Sequence, residues 1–261
     1  MLRKINKNVT KQYGIIGNPL CHSLSPTFFN ERFAQKNIHS EYLKFEIESI
    51  AEFPNIIKEH PMLVGLNVTI PYKQAVIPYL DELDEHAKAM GAVNVVKVET
   101  REDGSKYLKG YNTDWYGFTA SFKPLINDTH KKALVLGTGG ASKAIAYSLE
   151  LLGISYKFVS RSASEDNYTY DDLTEEVMKE HTVLINTSPV GTFPNVKECP
   201  NIPYHCITRE HVVYDLIYNP IETMFLRQAE TCGATIQNGW PMFVNQALKS
   251  YEIWEGVMWK E

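Results

Sequence analysis

Between Ala133 and Gly153 the chain reads ALVLGTGGASKAIAYSLELLG, and few topologies accommodate such a run. Ala133 to Leu136 are all apolar, as in a strand buried on both faces, the habit of parallel sheets. Gly137-x-Gly139 follows at once, and helical spacing begins directly after it. Strand, glycine turn and helix in that order predict an α/β chain, with a mainly parallel sheet and helices on its faces. Gly137 permits the tight turn, and Gly139 lets backbone approach a pyrophosphate at the positive end of the helix. The third glycine of G-x-G-x-x-G is replaced by Ser142, small enough for close packing. The alternative reading of the same residues is a purely structural turn.

The next strand selects the nucleotide. In an NAD site an acidic residue about 20 positions on binds the ribose 2′-hydroxyl. Here YKFVSRSASED ends its strand at Ser160-Arg161-Ser162, with no carboxylate at the tip. A permanently charged, flat fork of donors suits a 2′-phosphate, so NADP is expected over NAD. The other reading of Arg161 is a surface residue stacked over the adenine. Glu165 and Asp166, further out, read as helix-capping or solvated.

The alternation continues along the chain. QYGIIG, SEYLKFEI, LVGLNVTI, AVNVVKVE and KYLKGYN read as strands in the first part. SPTFFNERFAQKN is a helix with Ser25 as N-cap and Pro26 at its first position. IAEFPNIIKEH is a second helix, and LDELDEHAKAMG a third, stopped by Gly91. SYKFVS, TVLINTS and VVYDLIY are further buried strands in the second part, with helices at DWYGFTASFKPL, DDLTEEVMKE and IETMFLRQAETCG. WPMFVNQALKSYEIWEGVM is one amphipathic helix carrying Phe243, Ala247, Tyr251 and Trp254. A length of 261 residues suits one large or two small domains. The boundary is expected near Tyr111–Asp114, giving residues 1–113, completed by a tail helix 239–261, and residues 114–238. A chain crossing between two α/β units there would leave a cleft, where small ligands prefer to bind.

Several functions are disfavoured. A net charge of −5 does not favour nucleic acid or an anionic membrane as partner. The longest apolar runs are strand-sized, far short of the roughly 18 residues of a membrane helix. MLRKINKNVTKQYG has no apolar core of a secretory signal. The four cysteines form no C-x-x-C pair and read as free thiols in a reducing cytoplasm. The eight histidines show no H-E-x-x-H, and no metal is expected.

The candidate reacting groups cluster at strand ends. NPLCHSLSP offers Ser23 and Ser25, LNVTIPYK offers Asn67, Thr69 and Lys73, GAVN offers Asn94, and YNTDWYGF offers Asn112, Thr113 and Asp114. Neutral hydrogen-bonding groups with one cation and one anion suit a polyhydroxylated substrate. Capping roles are the alternatives for Ser25, Asn94 and Asp114. Lys73 follows a strand whose buried face is expected to carry Val64, Leu66, Val68 and Ile70, and which Pro71 ends. It is either a solvated lysine or a proton carrier.

The same segments, with LGTGGASKA, NTSPVGT and NGWPMFVNQA, occur in the order found in shikimate dehydrogenases. From about Tyr13 to the C-terminus the chain resembles that family. The resemblance implies an N-terminal α/β substrate domain, a Rossmann-like dinucleotide-binding domain with a parallel sheet, and a cleft between them. It also implies reversible NADP-dependent reduction of 3-dehydroshikimate to shikimate, in aromatic amino acid (chorismate) biosynthesis. By this resemblance Ser23, Ser25 and Tyr218 bind the substrate carboxylate. Thr69, Asn94, Asp114 and Gln246 bind hydroxyls, and Lys73 and Asp114 are the catalytic pair. Gly137, Thr138, Gly139, Gly140 and Ala141 match the pyrophosphate loop, and Ser160, Arg161 and Ser162 the 2′-phosphate clamp. Leu216 and Gly239 resemble residues lining the nicotinamide, Met242 covers its face, and Glu85 stands where the family often has an acid near the cofactor. The chain departs from the family at Ser160, commonly Asn, and at Thr138 and Ser142, often Ala. Implied partners are a small-molecule substrate and no nucleic acid or membrane, in a cytoplasmic monomer or homodimer. The alternatives are an NAD-using quinate/shikimate dehydrogenase and a non-catalytic shikimate-sensing module.

Overall fold

The computed structural model describes residues 10–164 and 167–259. The expectations for the N-terminal segment up to residue 9 and for Glu165 and Asp166 lie outside the described residues. By its internal contacts the chain divides into two compact units, Met1–Thr113 with Ala247–Glu261, and Asp114–Gln246. The tail helix, expected whole with the first unit from 239, is shared, its Trp240–Gln246 part belonging to the second.

The first unit contains β1 (Lys11–Gly17), α1 (Ser25–Gln35), β2 (Ser40–Glu46), α2 (Phe53–Glu59), β3 (Leu63–Val68), β4 (Glu82–Leu83), α3 (Glu85–Met90), β5 (Val95–Thr100) and β6 (Lys106–Tyr111). Its sheet is ordered β2-β1-β3-β5-β6-β4. β1 runs parallel to β2 and β3, while β5 is antiparallel to both β3 and β6. One face packs Ile16, Leu66, Val68 and Val96 against Phe53, Ile56 and Ile57 of α2. The other packs Tyr13, Ile15 and Val95 against Phe29 and Phe33 of α1 and the tail residues Ala247, Tyr251 and Trp254.

Three local expectations need correction. Ser25 is the first helical residue and not the N-cap, because Leu24 already has helical backbone angles and its carbonyl accepts from Phe28. β3 does not alternate. Central between β1 and β5, it is covered on both faces, and Ile70, beyond its end, is 65% exposed. The third helix is shorter than its sequence suggests. Glu82 and Leu83 pair with β6, the Asp84 carboxylate accepts from Ala87 N–H, and only then does α3 begin. Gly91 closes it at φ +59°, as a left-handed cap.

The second unit contains α4 (Asp114–Phe122), β7 (Lys132–Leu136), α5 (Gly140–Leu151), β8 (Ser155–Ser160), β9 (Asn167–Thr169), α6 (Glu175–Glu180), β10 (Val183–Asn186), β11 (Val212–Asp215), α7 (Met224–Thr231), β12 (Thr235–Gln237) and the start of α8 (Trp240–Glu255). All of its strand pairs are parallel, in the order β12-β11-β10-β7-β8-β9. Ala133, Val135, Val183, Ile185, Val212 and Tyr214 point to α4 and α5, whereas Leu134, Leu136, Leu184 and Val213 point to α6 and α7. Both faces are therefore apolar, the condition the continuous hydrophobic strands announced. Among the described residues no helix is long and apolar enough to cross a membrane.

Candidate active site

The candidate residues form two sets, one in each unit. In the first unit they share one edge of the mixed sheet. β1 and β3 run parallel, so Ser23 and Ser25, and Thr69 and Lys73, lie beyond their carboxyl ends. β5 opposes β3 and β6 opposes β5, which brings Asn94, just before β5, and Asn112 and Thr113, just after β6, to the same edge. Backbone bonds fix the loop carrying the lysine. Thr69 N–H donates to Ile16 O at 2.9 Å, Tyr72 N–H to Thr69 O at 2.9 Å, and Val93 N–H to Lys73 O at 2.7 Å.

Beneath this edge runs a buried polar network. Tyr42 O–H donates to Asn67 Oδ1 at 2.6 Å, and Asn67 Nδ2 donates to Asn94 O and to Ser250 Oγ, each at 3.2 Å. Thr113 N–H donates to Asn94 Oδ1 at 2.7 Å, Asn94 Nδ2 to Thr113 Oγ1 at 3.1 Å, and Thr113 and Ser250 hydroxyls lie 3.2 Å apart. Burial pushes the Tyr42 phenol well above its ordinary pKa, with a hydrogen bond from Ser25 opposing. Asn67 is thus part of the scaffold holding Asn94. Glu85 is exposed at the first position of α3, its carboxylate 3.8 Å from His86 Nε2.

In the second unit, counting strands from β7, the sheet order is 3-2-1-4-5-6, with the reversal between β7 and β10. Ligands of open parallel sheets bind outside the carboxyl ends of the strands at such a reversal. The glycine turn is there. Gly137 has φ +112°, and a Cβ on it would stand 3.0 Å from Thr187 Oγ1. Gly139 has ordinary angles, φ −77° and ψ −175°, and a Cβ on it or on Gly140 would meet nothing within 4 Å. The first glycine is required by the backbone, whereas the next two leave space before the N-terminus of α5. That terminus has no side-chain cap and no acidic residue in its first turn, so its N–H groups suit an anion. Ser142 is buried and its Oγ donates to Gly139 O at 2.6 Å, bracing the turn.

Arg161 is exposed just past β8, the strand beside β7. Its charge partly offsets the burial that raises the Tyr170 phenol, so the two are close. Ser162 N–H donates to Ser160 Oγ at 3.4 Å. Leu216 and Gly239 are brought together, since a Cβ on Gly239 would stand 1.9 Å from Leu216 O. Tyr218 packs its ring 5.3 Å from Phe243, and burial raises its phenol. Gln246 Nε2 donates to Phe243 O at 3.0 Å, and Met242 is buried with Phe118, Phe122 and Tyr214. Asp114 opens α4. The sequence reading missed Asn186, Asp215 and Thr223, which form a buried polar cluster behind this edge. Its signal was a carboxylate inside the apolar run VVYDLIY.

A parallel sheet reversing at a glycine turn, with an uncapped helix behind it and an arginine just past the neighbouring strand, defines a dinucleotide-binding α/β protein. Residues 15–96 match the model of the shikimate dehydrogenase substrate binding domain. A shikimate dehydrogenase (NADP(+)) of Caldanaerobacter subterraneus subsp. tengcongensis is 39% identical over 267 residues, covering 95% of this chain and 93% of the relative. The crystal structure of shikimate dehydrogenase from Aquifex aeolicus matches with a TM-score of 0.84 at 35% identity, covering 98% of this chain and 96% of that one. That of shikimate 5-dehydrogenase from Thermus thermophilus, in complex with NADP(H) and shikimate, matches with a TM-score of 0.81 at 28% identity, covering 96% and 95%. The chain belongs to the shikimate dehydrogenase family.

Proposed function

We propose that the protein reduces 3-dehydroshikimate to shikimate, reversibly, with NADPH as the reductant, as a step of aromatic amino acid biosynthesis. The observation that carries this reading is the open space at Gly139 and Gly140, before an uncapped helix at the strand-order reversal. There Gly137 to Ala141 would hold the diphosphate of NADP, Ser160, Arg161 and Ser162 its 2′-phosphate, and Leu216 and Gly239 its nicotinamide. When bound, the cofactor would supply hydride-transfer chemistry at the ketone carbon, in either direction.

The chain's own groups do the rest. Ser23, Ser25 and Tyr218 donate to the substrate carboxylate. Thr69, Asn94, Asp114 and Gln246 pair with its hydroxyls, so a substrate lacking one would leave a polar group unsatisfied. The Lys73 ammonium delivers a proton to the ketone oxygen as it becomes a hydroxyl, and Asp114 favours and orients that ammonium. The protein works in the cytoplasm as a monomer or homodimer, which size-exclusion chromatography would resolve. The test of activity is the absorbance of reduced nicotinamide with shikimate and NADP. A folded sample that produces none is not this enzyme.

A further inference from the structure

Asp215, the last residue of β11, is fully buried, and no step above uses it. Its Oδ1 accepts from Ile217 N–H at 3.0 Å and from Asn186 Nδ2 at 3.0 Å, and its Oδ2 from Thr223 Oγ1 at 2.7 Å. Burial pushes the carboxyl up to about 6, against the pull of these three neutral donors. A buried carboxylate is costly, and an apolar residue would serve a merely stabilising role as well. What the carboxylate adds is direction, since one group grips three donors from separate places in the chain.

Those places enclose the segment that matters. Ile217 and Thr223 stand near the two ends of the irregular stretch Leu216–Thr223, which carries Leu216 and Tyr218. Thr223 also caps α7, accepting from Leu226 N–H at 3.3 Å. Asn186 holds the loop after β10, accepting from Ser188 N–H at 3.0 Å and Ser188 Oγ at 2.7 Å and donating to Val190 O at 3.3 Å. The neighbouring Thr187 hydroxyl bonds Leu136 O at 3.0 Å and Gly137 O at 3.2 Å. A continuous path therefore runs from the glycine turn through Thr187 and Asn186 to Asp215, and on to both ends of the segment bearing Leu216 and Tyr218.

We propose that Asp215 is a positioning residue, whose carboxylate sets the Leu216–Tyr218 segment at a fixed place relative to the glycine turn and so orients the nicotinamide end of the cofactor. The proposal rests on the function above, in which Leu216 and Gly239 meet the nicotinamide. It predicts that loss of these acceptor oxygens damages one end of the cofactor site and spares the other.

Calorimetry with NADP and with 2′-phospho-ADP-ribose, which lacks the nicotinamide, separates the two ends. Asp215→Ala releases all three donors, and NADP affinity should fall about tenfold while that of 2′-phospho-ADP-ribose changes less than about twofold. Asp215→Asn keeps an oxygen for Ile217 and Asn186 and should recover most of the NADP affinity. Thr223→Val cuts one tie in a chain that keeps its carboxylate; kcat should drop several-fold with the 2′-phospho-ADP-ribose affinity retained, and it carries the test if Asp215→Ala does not fold. Equal weakening of both ligands in Asp215→Ala, or an unaltered kcat in a folded Thr223→Val, would overturn the proposal. A parent protein binding neither ligand would overturn the functional reading along with it.

Discussion

The first sheet is mixed and the second wholly parallel, and the edges that carry their candidate residues are built from different materials. At the parallel edge the candidate parts are mostly backbone. They comprise a glycine forced to φ +112°, two glycines bordering open space, and the free N–H groups of a helix. At the mixed edge they are side chains, with antiparallel β5 and β6 adding Asn94, Asn112 and Thr113 to the serines, threonine and lysine delivered by β1 and β3. Phosphates look alike in every nucleotide, so backbone donors suffice for them. A particular polyol must be told from its neighbours, which takes individually placed groups held from behind, as Asn67 and Ser250 hold Asn94 and Thr113.

Replacing Lys73 tests the side-chain edge most severely. Lys73→Ala should lower kcat by about 10³-fold, with a smaller change in substrate KM, because general acid–base groups contribute on that order. Gly139→Ala tests the backbone edge. Its angles suit alanine and its methyl meets no protein atom. Thermal stability should hold while NADP affinity falls by about 10²-fold, a methyl occupying the space of a phosphate. Gly137→Ala, at φ +112° and 3.0 Å from Thr187 Oγ1, should instead lose about 1–3 kcal/mol of stability in denaturant unfolding. Arg161→Ala should lower kcat/KM for NADP by about tenfold and leave the value for NAD almost unaltered. A parent enzyme preferring NAD would remove the clamp from the reading.

Asn67→Leu keeps the volume but takes the acceptor from the Tyr42 hydroxyl and one of the donors from the Ser250 hydroxyl and the Asn94 carbonyl, at about 1–3 kcal/mol in denaturant unfolding. A last expected effect is one of pH. Asp215 is raised from 3.8 to about 6, so between those values the folded chain holds a proton that the unfolded chain releases. Its contribution is fully present below about pH 4 and is lost as pH rises through 6, by up to about 3 kcal/mol. His211 moves oppositely, since burial lowers it, so stability rises with pH toward 6.5. The difference between the parent and Asp215→Asn isolates the carboxylate. It should shrink steadily as pH rises from 4 to 6, and a flat difference would deny the shift.

Legibility in the sequence followed the range of the forces involved. The glycine turn, its strand and its helix form within about 20 adjacent residues, so ALVLGTGGASKA announced them. The buried strands were readable because both faces demand apolar residues. β9 and β12, three residues each, carry too little pattern and exist because a neighbouring strand is there to pair with. Ile70 looked like one more member of a buried face, but that face ends where β3 leaves its partners. Asn67 read as a ligand group by its type, and only its three bonds show it to be scaffold.

By itself the sequence determined the two α/β units, the glycine turn and the kinds of group available for the chemistry, because turn geometry, helix polarity and hydrophobic patterning are local properties. Tertiary structure alone decided the strand order, which puts the reversal at Gly137, and decided which polar side chains hold others in place. Hydrogen bonds such as Asn67 to Ser250, or Asp215 to Asn186, join residues far apart in the chain, and no local rule chooses their partners.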